Sequence, residues 1–266
     1  MLEPEFTVNK IEVTIGYSSL SHRVQEIKLP SRRDQVEILI AVQGGPVDPI
    51  QREDVRMIYL DSFGAAKSRN VILAEAAGEI VFFGDDDMQW DESGLDRTIK
   101  YFQINDNVDL VLCQSENEYG DLRKKYFKKK TKLSKYNSAK ASTYEIAIRL
   151  SSFKKKNITF HEGFGAGVKN FLGDEFIFIS EACEAGLACE FLPWTIATHP
   201  STSSGTLYGT MEDTEARANV IQQVFGKFAI LARIGFIIKN PFRFKSFGLG
   251  LRFIFRSFPE KIQQKH

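Results

Sequence analysis

Short apolar runs alternate with stretches of helical spacing through the first half of the chain. Residues 11–16, 36–43, 55–60, 79–84 and 108–114 read as strands, and the apolar runs at 36–43 and 80–84 as buried ones. Gly44-Gly45-Pro46 stops the second run. Residues 20–28 have room for a short helix before Pro30. Residues 65–77 are rich in Ala, Leu and Glu and run into Gly78, which predicts a helix with a glycine stop. Residues 93–103 predict a further helix. Strands separated by helices of this length form right-handed βαβ units, and those build a parallel sheet.

The pattern changes after residue 115. Residues 123–135 hold eight Lys/Arg and no acid, with Tyr126 and Phe127 among them. A solvated, mobile loop is the structural expectation. A basic flap closing over a pyrophosphate or an anionic acceptor is compatible with it. Residues 145–150 alternate like a half-exposed strand. Residues 174–185 have helical periodicity and end at Gly186, with Asp174 and Glu175 placed where acids suit the positive end of a helix dipole.

Asp85, Asp86 and Asp87 follow directly on Ile80-Val81-Phe82-Phe83-Gly84. In open α/β sheets, ligands bind beyond the carboxyl ends of the strands. Adjacent carboxylates repel one another unless a cation relieves them. A hard divalent ion shared with substrate phosphates is a common solution. A Mg²⁺ or Mn²⁺ site carrying a phosphorylated substrate is one reading of the triplet; a solvated acidic turn is the other.

Four segments, in order, resemble family-two glycosyltransferases. Gly64-Ala65-Ala66-Lys67-Ser68-Arg69-Asn70 leads through a helix to the strand and its Asp-x-Asp motif at Asp85–Asp87. Phe160-His161-Glu162-Gly163-Phe164-Gly165-Ala166-Gly167 is similar to the Phe-x-Glu-x-Phe-Gly-x-Gly segment of the acceptor half in bacterial members. Gly173-Asp174-Glu175 is similar to the family's Gly-Glu-Asp/Glu at a helix start. His199-Pro200, followed by the Ser-rich turn 201–205, resembles capsule and O-antigen transferases. The segments span roughly residues 10–205.

The resemblance implies a GT-A fold: an α/β, Rossmann-like, mostly parallel central sheet flanked by helices. It implies a catalytic domain over 1–210, with a nucleotide-binding half over about 1–115 and an acceptor half over about 140–210. It further implies metal-dependent, inverting hexosyl transfer from a nucleotide-diphosphate sugar, UDP-linked in the first instance, to a glycan. That glycan would be carried on a polyprenyl diphosphate during surface polysaccharide synthesis. Asp87, with Asp85 and His199, would hold Mn²⁺ or Mg²⁺, which neutralises the departing diphosphate. Imidazole nitrogen is a fitting ligand for such an ion. Asp85, Asp86, Arg69, Gln43, Gly16 and Tyr17 fall on the donor side, and Glu162, Phe164 and Gly165 on the acceptor side. Glu175 or Asp174 would be the base that deprotonates the acceptor hydroxyl, provided burial raises its pKa. The chain also departs from the family. The first strand runs out through Gly16-Tyr17-Ser18-Ser19-Leu20-Ser21-His22-Arg23 rather than Pro-x-Tyr/Phe-Asn/Arg. The second ends in Gln43-Gly44-Gly45, where the family has an acid that bonds the uracil ring. A Gln amide can still bond a base edge.

The 266 residues, 43% hydrophobic and 26% charged, are enough for one sizeable core. Cys113, Cys183 and Cys189 form no Cys-x-x-Cys pair and read as small hydrophobes of a reducing compartment. The first residues lack a signal-peptide pattern, and no uninterrupted apolar run has membrane-span length, so a cytoplasmic location is expected. The net charge of +1 conceals an asymmetry: from Gly226 onward there are nine Lys/Arg and one acid, leaving +8 on the tail and −7 on the rest. Phe is interleaved with these cations, and Pro241 divides the tail into two predicted helices. Residues 211–266 therefore read as a basic, amphipathic helical appendage that lies on the inner face of a membrane. Packing on the catalytic domain or on a second subunit is the alternative. Nucleic acid is not an expected partner, because the body is acidic. Two rival functions remain at this level, a sugar-phosphate nucleotidyltransferase and a non-catalytic membrane-bound scaffold of the same fold.

Overall fold

The computed structural model describes residues 10–201 and 209–256. Most of the predicted Ser-rich turn and the tail beyond Arg256 lie outside the described residues. One mixed sheet runs through the molecule in the order β3 (Val55–Leu60), β2 (Val36–Gln43), β1 (Val13–Leu20), β4 (Ile80–Asp85), β8 (Ile146–Arg149), β6 (Leu110–Glu116), β9 (Cys189–Thr198) and β5 (Gln89–Trp90). Strands β1 (Val13–Leu20), β2 (Val36–Gln43), β3 (Val55–Leu60) and β4 (Ile80–Asp85) are mutually parallel. Helix α1 (Ala65–Glu75) crosses from β3 to β4.

Side chains alternate between two faces along each strand. Ile38, Ile40 and Val42 join one core with Ile15, Phe82, Trp90, Leu95 and Phe102. Leu39 and Ala41 join the other with Ile72, Val81, Phe83, Phe160 and Phe178. Both faces are covered along β2 and β4, so these two strands read as near-continuous apolar runs, whereas β3 at the edge is only partly buried. Gly16 faces α1: a Cβ there would lie 2.3 Å from the Ile72 side chain.

Beyond β4 the sheet departs from the parallel expectation. Strand β8 (Ile146–Arg149) pairs antiparallel with β4 and with β6 (Leu110–Glu116). Strand β9 (Cys189–Thr198) runs parallel to β6 and carries two short antiparallel partners, β5 (Gln89–Trp90) and β7 (Thr131–Lys132). The sequence pattern did not reveal β9. It contains Pro193, which cannot donate to a ladder, and the β6–β9 register shifts between Leu112 and Gln114, where the pairing passes from Phe191 to Thr195.

Helix α2 (Glu92–Ile104) is capped by Asp91, whose carboxylate accepts from the Gly94 amide at 2.6 Å. It lies so close to β9 that a Cβ on Gly94 would meet the Thr195 carbonyl oxygen at 2.1 Å. Gly94→Ala is therefore expected to cost about 1–3 kcal/mol through overpacking, read as a lower urea midpoint with an unchanged slope.

Residues 145–150 are not half-exposed. Glu145 is fully buried, accepting from Ser115 Oγ (2.6 Å), Tyr126 OH (2.5 Å) and Lys124 Nζ (2.9 Å). The same bonds correct the expectation for residues 123–135. This segment is strapped to the sheet by Lys124 and Tyr126 and by the β7–β9 ladder, with Lys125 and residues 128–130 left exposed. Past α3 (Leu150–Lys156) and α4 (Asp174–Glu184), the chain ends in three helices, α5 (Met211–Phe225), α6 (Ala229–Lys239) and α7 (Phe247–Phe255).

Candidate active site

Three chain segments converge at the carboxyl end of β4. The strand delivers Asp85 at its last position. The first turns of α1 deliver Arg69, which is almost fully buried. The N-terminus of α4 delivers Asp174, also buried, and half-buried Glu175. Two glycines permit this approach. Gly173 takes a left-handed φ of 85° before α4, and a Cβ on it would strike Val220 of α5 at 2.5 Å. Gly165 has a φ of 97°, and its Cβ position lies 2.8 Å from the Asp174 carboxyl.

Arg69 binds both acids. Its Nη2 donates to Asp85 Oδ1 at 2.9 Å, and its Nη1 donates to Asp174 Oδ2 in a short hydrogen bond. Burial works against the charged guanidinium, but Asp174, Asp85 and Glu175 together hold its pKa above the ordinary value. Burial, and next the charge of Asp174 and a hydrogen bond to it, push the Glu175 carboxyl well above the usual carboxylate range. The α4 terminus thus holds two acids in different states of readiness: Asp174 is engaged by Arg69, and Glu175 holds its proton more tightly.

The rest of the acidic triplet turns to other partners. Asp86 is buried, accepting from Ser19 Oγ at 3.0 Å and pairing with Arg23 at 2.9 Å. Burial raises its pKa, against the pull of Ser19 and Arg23. Asp87 Oδ1 lies 3.1 Å from His199 Nε2, and that hydrogen bond is the main cause of its lowered pKa. The other nitrogen of His199, Nδ1, is 2.9 Å from the Pro200 carbonyl oxygen. A carbonyl only accepts, so Nδ1 carries the hydrogen. In a neutral ring, Nε2 then turns a lone pair toward a carboxylate oxygen, and two acceptors at that distance need a proton or a metal ion between them. The Tyr144 ring stacks on His199 (centroids 4.7 Å apart), and Arg123 donates to the Tyr144 hydroxyl at 2.8 Å. The first residue of the basic segment therefore supports the imidazole.

Among the described residues, no group of three or more His, Cys, Asp or Glu is arranged to hold a metal ion. Asp87 Oδ1 and His199 Nε2 are the two groups that would hold a divalent ion here, one that would take its remaining positions from phosphate oxygens and water. Asp85, expected to share the metal, is engaged by Arg69 instead.

The other expected site residues divide clearly. Gln43 is buried and committed: its Oε1 accepts from the Gly64 amide at 2.6 Å and its Nε2 donates to Ser68 Oγ at 3.3 Å. It fastens the start of α1 rather than presenting an amide to a base. Gly16 and Tyr17 do not fit the donor role. Gly16 is pressed beneath Ile72, and Tyr17 is fully buried, its hydroxyl accepting from Trp90 Nε1 at 2.9 Å. Phe164 also departs from expectation, since it is buried in a cluster with Phe176, Ile177, Val220 and Val224. Glu162 is exposed and accepts from Asn70 Nδ2 at 3.3 Å. Asn70 also exchanges bonds with the Phe160 backbone and so ties this segment to α1. Arg23, Ser19, Tyr144 and Arg123 were not among the expected site residues. Arg23 lies in the segment after β1 that departs from the family pattern, and that departure was the available signal.

Comparison with known proteins adds the following. The family model described as Glycosyl transferase family 2 matches residues 31–173, more than half of the chain. No curated protein matches. Among solved structures, the chain is similar to S. aureus TarS 1-349, at 14% identity and a TM-score of 0.60, covering 91% of this chain and 81% of that one. It is similar to a longer S. aureus TarS at 14% identity and a TM-score of 0.58, covering 88% and 44%. It is also similar to S. aureus TarS 1-349 in complex with UDP-GlcNAc, at 15% identity and a TM-score of 0.57, covering 83% and 66%. Likenesses at these identities speak to the fold.

Proposed function

The chain belongs to glycosyl transferase family 2, and from that premise we propose that it is an inverting transferase using a UDP-linked sugar and a divalent metal ion. The observation that carries this reading is Glu175. Its carboxyl, near the carboxyl end of β4, has a raised pKa beside Asp174 and within electrostatic reach of Arg69. A carboxylate that holds its proton more tightly than an ordinary glutamate is a stronger base for removing a proton from an acceptor hydroxyl. Asp174, bound by Arg69, is the positioning partner and the weaker candidate for the base.

Asp87 and His199 would hold Mn²⁺ or Mg²⁺, which supplies charge neutralisation to the diphosphate when bound. Asp85 and Arg69 line the approach from the β4 end. Asp86 orients the turn through Ser19 and Arg23. The UDP donor draws support from the fold likeness to TarS, which has been solved with UDP-GlcNAc and with UDP. In this reading the acceptor is a glycan on a polyprenyl diphosphate at the cytoplasmic face of the cell membrane, and the product is a surface polysaccharide.

Calorimetric titration of UDP, GDP and CDP, with and without Mn²⁺, tests the donor side. UDP is expected to bind in a metal-dependent way. Asp87→Ala should weaken the metal-dependent part by at least the ~10–100-fold that loss of even an outer-shell partner costs. Unchanged affinity in that variant would remove the metal assignment. Absence of binding by every nucleotide would remove the transferase mechanism.

A further inference from the structure

Helix α6 is built the wrong way round for a water-facing helix. Its inward face buries a cation: Arg233, only 1% exposed, donates to the carbonyls of Ala218, Ile254 and Arg256 and to Gln222 Oε1. Its outward positions are apolar. Leu231, Ile234 and Ile238 follow one another at helical spacing and are exposed, Ile238 by 74%. Helix α7 buries Phe253 and also carries an outward apolar stripe: Phe247, Leu251 and Phe255, four residues apart, are exposed, Phe247 by 83%. Phe242, between the helices, is 99% exposed. Just over half of the exposed large hydrophobic side chains among the described residues lie in 226–256. That stretch contains seven Lys/Arg and no acid. Lys227, Lys239 and Lys245 are exposed beside the apolar stripes.

From this geometry we infer that α6, the 241–246 turn and α7 form a monotopic docking surface for a bilayer containing anionic phospholipid. The apolar stripes enter the interface and the lysines meet lipid phosphates. The surface stands apart from the sugar-transfer reading, since it uses none of the site residues.

A membrane-spanning alternative has one feature in its favour. Residues Met211–Lys239 together have the length and apolar composition of a span. Their course argues against it. Arg233 reaches the Ala218 carbonyl at 3.0 Å, although fifteen residues of straight helix would separate them by roughly 22 Å. The chain therefore doubles back at Gly226, and α5 is held in the protein core through Val220 and Val224. A second copy of the chain is a poorer occupant. Glu215 of α5 pairs with Arg252 and Arg256, but a two-fold contact would still place the exposed Lys227, Lys239 and Lys245 against their own copies.

Flotation of the full chain with vesicles tests the inference. It is expected to bind vesicles of phosphatidylglycerol and phosphatidylcholine, to bind pure phosphatidylcholine much less, and to be released progressively by salt. Lys227→Gln, Lys239→Gln and Lys245→Gln combined should weaken partition to the anionic vesicles about a hundredfold. Leu231→Ser, Phe242→Ser and Phe247→Ser combined should weaken it roughly a thousandfold. Circular dichroism checks that both variants fold, and nucleotide titration without vesicles reads the transferase mechanism separately. Wild-type protein that stays in solution with anionic vesicles overturns the inference. So does an apolar triple variant that floats as well as wild type. Sedimentation showing a dimer that the apolar variant abolishes, with no vesicle binding, would assign the surface to a second copy instead.

Discussion

Glu175→Gln is expected to lower the rate of sugar transfer about 10²–10⁴-fold, the span that general-base catalysis contributes, while raising thermal stability at neutral pH. Both effects come from one cause. Burial and the adjacent Asp174 make the folded protein hold the Glu175 proton more tightly than the unfolded chain does. The stability that follows from this is fully present below the ordinary glutamate value and is lost as pH rises through the raised folded value. Gln carries no proton to lose, and its amide N–H can still donate to the Asp174 carboxylate, so the variant escapes that loss. The transfer rate of the wild type should rise with pH as Glu175 ionises, with its acid limb displaced above the usual glutamate range. Melting temperatures of both proteins from pH 4 to 8, set beside initial rates on the same preparations, check the two halves together. A helix-end acid that merely complements the α4 dipole predicts the reverse, a modest loss of stability with the rate untouched. Gain of stability with loss of rate is the pattern of a group held in an unfavourable state for function.

The parallel half of the sheet was readable because both of its faces are covered. Such strands carry no polar alternation to confuse with a helix, and β2 is buried along its whole length. The acidic triplet was readable as a cluster, but the division of labour inside it was not. Asp85, Asp86 and Asp87 point to Arg69, Arg23 and His199, and those partners come from three distant parts of the chain. The antiparallel half was harder. Glu145 in residues 145–150 resembled a solvent-facing position, because its burial depends on Lys124 and Tyr126 arriving from a segment whose own composition suggested solvent. Pro193 hid β9, although a register shift in the ladder accommodates it. Gln43, Gly16 and Tyr17 were assigned by their place at strand ends. The first fastens α1 and the other two are enclosed beneath it and beside Trp90, which no local pattern reveals.

Arg69→Met should be the most destabilising substitution in the site, by about 3–5 kcal/mol, because it leaves partners of a buried ion cluster uncompensated. The guanidinium is enclosed between Asp85 at the end of β4 and Asp174 at the start of α4, so its loss brings two carboxylates together with no cation between them. Arg69→Lys keeps the charge but not the fork. A single ammonium cannot present two directed donors to two acids in fixed positions, and an intermediate loss is expected. The decisive comparison is a cycle. Asp174→Asn alone also leaves a charge with one partner fewer, yet combined with Arg69→Met it removes both members of the shorter contact. The double variant should therefore be less destabilised than the sum of the singles. Lowering the pH into the carboxylate range should recover part of the loss in Arg69→Met, since protonation ends the repulsion. Urea midpoints at two pH values measure all of this. Additive losses with no pH recovery would mean that Arg69 acts through packing, including its approach to the Phe160 ring at 5.8 Å, rather than through charge. The distinction matters for catalysis. If Arg69 is the ionic tie between the two halves, Glu175 is positioned by it, and the rate of the Arg69→Lys variant should fall along with its stability.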